Sequence, residues 1–278
     1  MRVSVAPGAG FCFGVKRALG MAFDAARRGD GPVVTLGPII HNPQVVARLE
    51  EEGLRVVDSL DGLPAGATLV VRSHGLRRAV LEDAAARRLH IVDATCPFVK
   101  EAQERATQLE REGYDVVVVG EERHPEVLSI TGNLERQATV VDGPAGLDAR
   151  TPCARAGVVC QTTQPLEHLK AVVDRLLDGA AELKVFNTIC RATSERQRNA
   201  LDLARRVDAM VVVGGRDSAN TRRLWELCRE AGRDAYHIET ADELEPSWFE
   251  GKEEVGVTGG ASTPQWIIDE VVRAIESM

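Results

Sequence analysis

None of the six cysteines of this chain forms a CxxC pair: Cys12, Cys96, Cys153, Cys160, Cys190 and Cys228 stand apart. That excludes the local spacing usual for a zinc ribbon or a ferredoxin, so any metal must draw its ligands from distant segments. No apolar run approaches the roughly 18 residues needed to cross a bilayer, and the expectation is a soluble protein with no membrane partner. The opening MRVSVAPGAG lacks a charged segment followed by an apolar core, so no secretory signal is read and the expected location is cytoplasmic. Excess positive charge is missing as well. The formal net charge of -8 disfavours a nucleic-acid or anionic-membrane binder and leaves any phosphate site to local groups. Only five of the 34 basic residues are lysines, a bias that reads as genomic composition. Long linkers and low-complexity segments are also absent.

What is present is an ordinary globular composition, 44% hydrophobic and 27% charged. Its 278 residues can bury a large core, as one α/β unit or as two to three small domains. Short runs rich in Val and Ile alternate with glycine or polar motifs and then with amphipathic stretches, the pattern of parallel βα units. The pattern predicts strands at Pro32–Ile40, Thr68–Arg72, Ile91–Asp93, Asp115–Val119, Gly157–Cys160, Lys184–Asn187, Ala209–Gly214 and Val255–Thr258. It predicts helices at Phe98–Glu112, Leu166–Leu177, Ser194–Arg206, Thr221–Ala231 and Pro264–Ile275.

The polar motifs at the predicted strand ends fall into three sets of three. FCFG at Cys12, IIHNPQ at His41 and RSHG at His74 form the first; DATCP at Cys96, ERHPE at His124 and CQTTQ at Thr162 and Thr163 form the second. The third runs NTICRAT at Cys190, GRDSANT at Asn220 and GGASTP at Ser262. First and second motifs are 29, 28 and 30 residues apart, and second and third are 33, 39 and 42 apart. This register predicts three similar α/β lobes at 13–96, 97–186 and 187–278, with residues 1–12 added to the third. Ligands of parallel sheets bind beyond the carboxyl ends of the strands, so converging lobes would bring Cys12, Cys96 and Cys190 to one centre.

A lone free cysteine is most often a buried filler, and a disulfide framework is not expected in the cytoplasm. The register singles out Cys12, Cys96 and Cys190 and leaves Cys153, Cys160 and Cys228 to packing. Three thiolates admit a zinc site completed by His41, His74 or His124, or an iron-sulfur cube with one iron open; the spacing favours neither. The same three histidines, with Ser218, Asn220 and Ser262, are candidate hydrogen-bond donors around an anion, while His90, His168 and His237 read as surface or packing residues. SANT and ASTP also open helices, whose first N–H groups favour phosphate; plain N-capping accounts for the same residues. Glu126 in HPE is a candidate proton donor if a closed pocket raises its pKa, against the alternative of a first-turn helix acid. Thr162 and Thr163 either orient that proton or form a polar turn. Asp93, Glu122 and Asp217 read as turn or capping residues.

GFCFGVKRA, TLGPIIHNPQVV, VRSHG, VDATCPFVK, HPE, QTTQ, NTICRATSERQ, GGRDSANTRRL and GASTPQWI follow one another from the N-terminus to about Ile275. In this order they closely resemble the 4-hydroxy-3-methylbut-2-enyl diphosphate reductase family, over essentially the whole chain. The resemblance implies a pseudo-threefold trefoil of three α/β lobes around a central 4Fe–4S cluster. Cys12, Cys96 and Cys190 would hold it, with the fourth iron open to the substrate's hydroxyl oxygen. It implies that His41, His74, His124, Ser218, Asn220 and Ser262 bind the diphosphate and that Glu126 supplies a proton. Thr162 and Thr163 would lie near the substrate hydroxyl, and Thr193 would line the site. The implied reaction is the last of the methylerythritol phosphate route: two electrons enter, the hydroxyl leaves as water, and isopentenyl or dimethylallyl diphosphate forms. Its electrons come from a ferredoxin or flavodoxin type carrier.

One departure is visible. Many members carry two serines before the asparagine, whereas here Ala219 follows Ser218 and can offer only its backbone N–H. Two rival readings use the same cysteines: an open-iron dehydratase or lyase resembling quinolinate synthase, and a non-catalytic zinc or iron-sulfur regulatory protein. Lys16 and Arg17 receive no role from the sequence.

Overall fold

The structure, a computed structural model, describes residues 1–28, 31–147 and 154–278; Cys153 lies outside them. The described chain opens with β1 (Arg2–Val5), α1 (Phe13–Arg28), β2 (Val33–Leu36), α2 (Pro43–Glu51), β3 (Leu54–Val57), β4 (Thr68–Val71), α3 (Arg78–Ala86) and β5 (His90–Asp93). It continues through α4 (Pro97–Arg111), β6 (Asp115–Val119), α5 (Pro125–Thr131), β7 (Thr139–Val141), β8 (Arg155–Cys160), α6 (Leu166–Leu177) and β9 (Glu182–Val185). The last stretch holds α7 (Arg191–Ala204), β10 (Ala209–Val213), α8 (Ala219–Glu230), β11 (Asp234–Ile238), β12 (Glu254–Gly259) and α9 (Gln265–Glu276). No described helix is long and apolar enough to cross a membrane.

These strands form three parallel four-stranded sheets, β3-β2-β4-β5, β7-β6-β8-β9 and β11-β10-β12-β1, so the protein is built of three α/β lobes. Each sheet repeats one order, second-first-third-fourth. In the last sheet the fourth place is taken by the N-terminal strand, β1 pairing with β12 in parallel at Val3↔Val255. The chain divides into two compact units: Met1–Lys16, Ile40–Arg48 and Arg191–Met278, which holds the last sheet, and Arg17–Ile39 with Leu49–Cys190, which holds the other two.

Why these segments are strands follows from their composition. DVVVV of β6 and AMVVV of β10 are buried almost end to end, as strands covered by helices on both faces must be. On one face of the second sheet, Val117, Val119 and Val158 pack with Leu169 and Val172 of α6; on the other, Val116, Val118 and Val159 pack with Ala102, Ala106 and Leu109 of α4. The third sheet is layered likewise, with Ile267, Ile268 and Val271 of α9 on one face and Ala200, Leu203 and Leu224 of α7 and α8 on the other. Each fully buried Val, Leu or Ile contributes about 1.5–3 kcal/mol, so the layers rather than local propensity hold the lobes together.

The predicted strand Pro32–Ile40 is shorter than its apolar pattern. It stops at Leu36, because Gly37 takes φ +71 and turns the chain. Ile39 stays buried as a loop residue, its carbonyl accepting the N–H of Ser73 at 3.3 Å and the Ser73 hydroxyl at 3.1 Å. Each motif cysteine follows the fourth strand of a sheet and directly precedes a helix: Cys12 lies between β1 and α1, Cys96 between β5 and α4, Cys190 between β9 and α7.

Candidate active site

In the larger unit the site is organised around one buried carboxyl. Pro125, whose fixed φ suits a first helical position, starts α5, and His124 caps it by accepting the Glu126 N–H on Nδ1 at 3.2 Å. That bond leaves Nε2 of His124 as the donor. Glu126, on the first turn, is only 2% exposed. Its Oε1 accepts the backbone N–H of Thr162 at 2.6 Å and its Oε2 accepts the Thr162 hydroxyl at 2.9 Å. Burial pushes the carboxyl up to about 7, while the two hydrogen bonds from Thr162 pull it down. A carboxyl that titrates near neutrality can hold a proton and give it up, which a first-turn surface acid cannot.

Thr162 stands just beyond β8, and its carbonyl accepts the Cys190 N–H at 2.9 Å. One residue therefore bonds the candidate proton donor on one side and a candidate ligand on the other. Thr163, half-buried, accepts a hydrogen bond from Gln161 Nε2 at 2.8 Å instead. The rings of His74 and His124 meet edge to face with centroids 5.4 Å apart. The His74 carbonyl accepts the Ser129 hydroxyl at 2.7 Å, and Gly75, at φ +75, leaves no room for a Cβ against Ser129 and Gln103. Cys96 stands at the position just before α4, ahead of Pro97, and its N–H donates to the Ser73 carbonyl at 2.9 Å. The preceding residue, Thr95, is pinned by Asp93 through its N–H and hydroxyl and by Arg17, whose Nη1 donates to the Thr95 carbonyl at 3.1 Å. Arg17 thus has a place, holding the DATCP turn; Lys16 is exposed.

One pH effect follows. Thr162→Val removes a hydroxyl that favours the charged carboxylate, so the Glu126 carboxyl rises above its value of about 7. With the protonated carboxyl as the donor, the alkaline limb of kcat/KM is expected near pH 7 in the wild type and about one unit higher in the variant, the worth of one charge-assisted hydrogen bond. A pH–rate profile in which the limb stays put or moves down contradicts this.

In the smaller unit Cys12 follows Gly10, which takes φ +103. Its N–H donates to the Ala261 carbonyl at 3.2 Å, and its sulfur accepts the Val15 N–H at 3.5 Å. The His41 carbonyl accepts the Ser262 hydroxyl at 3.2 Å, and any Cβ on Gly215 would clash with that same carbonyl. Ser218 caps α8, its hydroxyl accepting the Thr221 N–H at 3.3 Å. Ala219 and Asn220 are buried on the first turn of α8, and Thr193 is buried on α7. Asn220 is 4% exposed, yet neither Nδ2 nor Oδ1 of its amide has a partner among the described residues. An unsatisfied buried amide costs about 1–3 kcal/mol, and an anion that accepts from Nδ2 can offset the donor's share of that cost.

The donor chemistry fits a thiolate-held metal group. Cys12, Cys96 and Cys190 are half-buried, and each stands in the turn that leads directly into a helix. Cys160 and Cys228 are free but fully buried, and burial pushes both thiols up to about 12, which suits packing and not ligation.

Comparison with known proteins decides the family. The sequence profile of the LytB protein family matches residues 3–276. The chain belongs to the LytB family. Among LytB relatives, the 4-hydroxy-3-methylbut-2-enyl diphosphate reductase of Geobacter sulfurreducens is 55% identical, covering 99% of this chain and 97% of its own. That of Geotalea uraniireducens is 53% identical over 100% of this chain and 98% of its own. A solved (E)-4-hydroxy-3-methyl-but-2-enyl diphosphate reductase, described as the terminal enzyme of the non-mevalonate pathway, aligns over 100% of both chains at 44% identity with a TM-score of 0.75. The Plasmodium falciparum reductase aligns at 25% identity with a TM-score of 0.93, over 98% of this chain and 87% of its own.

Sequence reasoning gave no role to several residues that hold these motifs in place. Ser129 ties the His74 carbonyl to α5, Gln161 bonds the Glu121 N–H and Thr163, and Thr188 brackets Cys160 through its N–H and carbonyl. Arg196, inside NTICRATSERQ, donates to the Gly8 and Gly10 carbonyls. Only its lying within a motif signalled it, since its partners are 188 and 186 residues away.

Proposed function

We propose that this chain reductively removes the hydroxyl of 4-hydroxy-3-methylbut-2-enyl diphosphate, yielding isopentenyl or dimethylallyl diphosphate at the last step of the methylerythritol phosphate route. The balance is two electrons and two protons in, one C–O bond broken, one C–H bond formed and one water released. The observation that carries the reading is Glu126, buried, titrating near 7 and joined by Thr162 to the Cys190 loop.

Cys12, Cys96 and Cys190 are the residues that would hold a 4Fe–4S cluster. When bound, that cluster supplies single electrons and, through the iron that no cysteine binds, a Lewis acid for the substrate hydroxyl. Glu126 gives up its proton within the site, and Thr162 keeps the carboxyl oriented while Thr163 lies beside it in the chain. His41, His74, His124, Ser218, Asn220 and Ser262 bind the diphosphate, with the N–H of Ala219 at the start of α8 as a further donor and Thr193 as part of the lining. Anchoring the diphosphate converts remote binding energy into placement of the alcohol. The electrons come from a ferredoxin or flavodoxin type carrier, and the protein works in the cytoplasm.

Asn220→Ala is expected to raise KM by about tenfold or more with a smaller effect on kcat, since hydrogen bonds to charged groups are worth about 1.5–3 kcal/mol. Steady-state kinetics with an unchanged KM would remove Asn220 from the diphosphate site. The function itself is tested by adding substrate to the anaerobically purified chain with reduced methyl viologen. Oxidation of two viologens per substrate, with both five-carbon diphosphates formed, is expected. Turnover without net viologen oxidation would instead indicate a dehydratase.

A further inference from the structure

Arg196 lies on α7 and is 5% exposed, a depth at which arginine is rarely found unless its guanidinium is bonded. Its Nε donates to the Gly8 carbonyl at 3.0 Å and its Nη2 to the Gly10 carbonyl at 2.6 Å. One turn along the helix, Asn199 Nδ2 donates to the Pro7 carbonyl at 2.9 Å. All three carbonyls belong to the turn that leads into Cys12. Gly8 and Gly10 hold φ values of +78 and +103 there, and a turn built on two such glycines loses much backbone entropy when it is fixed. A planar, always charged guanidinium can fasten two carbonyls at once, which an ammonium on a flexible stem cannot.

We propose that Arg196 is a positioning residue for Cys12, fixing the 7–10 turn so that the thiolate is presented for ligation before any cluster binds. This rests on the reading of Cys12 as a cluster ligand. Downstream of the turn, the Cys12 N–H donates to the Ala261 carbonyl and the Val15 N–H to the Cys12 sulfur.

The test compares wild type with Arg196→Met and Arg196→Lys in the full chain. Hydrogen exchange of the cluster-free protein is read over residues 8–16, with residues 94–100 around Cys96 as the control. Iron release to a chelator is read after anaerobic reconstitution. The Met variant is expected to lose about tenfold or more of its exchange protection at 8–16 and to release iron faster by a similar factor, as the loss of charge-assisted hydrogen bonds implies. Residues 94–100 stay as in the wild type, and the Lys variant falls between. Unchanged exchange at 8–16, unchanged iron release, or an equal rise in both segments overturns the proposal. If the wild type itself takes up no iron-sulfur cluster, the reading of Cys12 fails, and the exchange comparison still decides whether Arg196 holds the turn.

Discussion

Glu126→Gln is expected to cut kcat by about 10²–10⁴-fold, the usual worth of a positioned general acid, while the cluster absorbance and substrate affinity remain. The amide is nearly isosteric, and its hydrogen bonds survive: Oε1 can still accept the Thr162 N–H, and the Thr162 hydroxyl can rotate to accept from Nε2. A fold-based loss of activity is therefore not the expectation. The same substitution has a second, opposite signature. Because burial raises the Glu126 carboxyl from 4.5 to about 7, the stability tied to its neutral form is complete below pH 4.5 and is lost as pH rises through 7. A glutamine has nothing to ionise, so the variant should be more stable than wild type at pH 8, by about 3 kcal/mol, and no more stable at pH 4.5. Chemical denaturation of the cluster-free chain at the two pH values checks this. An active variant, or one less stable at pH 8, would remove Glu126 from the role of buried, protonated donor.

Replacing any one of Cys12, Cys96 or Cys190 by serine is expected to remove both the chromophore and the activity. The brown chromophore should be lost or reduced to a small remnant, and turnover should fall by about a hundredfold or more, because a site with three protein ligands has none to spare. Cys160→Ala and Cys228→Ala supply the contrast. Both thiols sit at 0% exposure in cores, Cys160 against Val158 and Leu169 and Cys228 against Leu224. Each should cost about 1–2 kcal/mol of stability and leave iron content unchanged. Iron and acid-labile sulfide assays across the five variants sort them. Loss of iron in either alanine variant, or its retention in a serine variant, contradicts the assignment.

The strands legible in the sequence were mostly those whose apolar runs are continuous. β6, β8 and β10 lie inside their sheets and are buried on both faces, so their valines announce them. β1, β3, β7 and β11 pass without a clear pattern, and all four are edge strands, covered on fewer sides and mixed in composition. The sheet order also gives a physical reason for one detail of the spacing. Cys12 comes so early because β1 is the fourth strand of the third sheet, and each motif cysteine follows a fourth strand.

At the candidate site, the side chains proposed to carry the chemistry stand out because each sits in a short polar motif at a strand end. The bonds that tune them were not. That Thr162 rather than Thr163 holds Glu126, that Arg17 pins Thr95, and that Arg196 grips the turn before Cys12 are long-range facts without a local period or propensity to report them.

The central claim is that three cysteines hold an iron-sulfur cluster with one iron left for substrate. It is tested most directly by the Mössbauer spectrum of the anaerobic, iron-57-reconstituted chain with and without substrate. The account predicts that about a quarter of the iron signal is distinct from the rest and shifts when substrate is added, as one non-cysteine iron in a four-iron cube requires. Four equivalent irons that ignore the substrate, or a colourless protein carrying zinc, would contradict it.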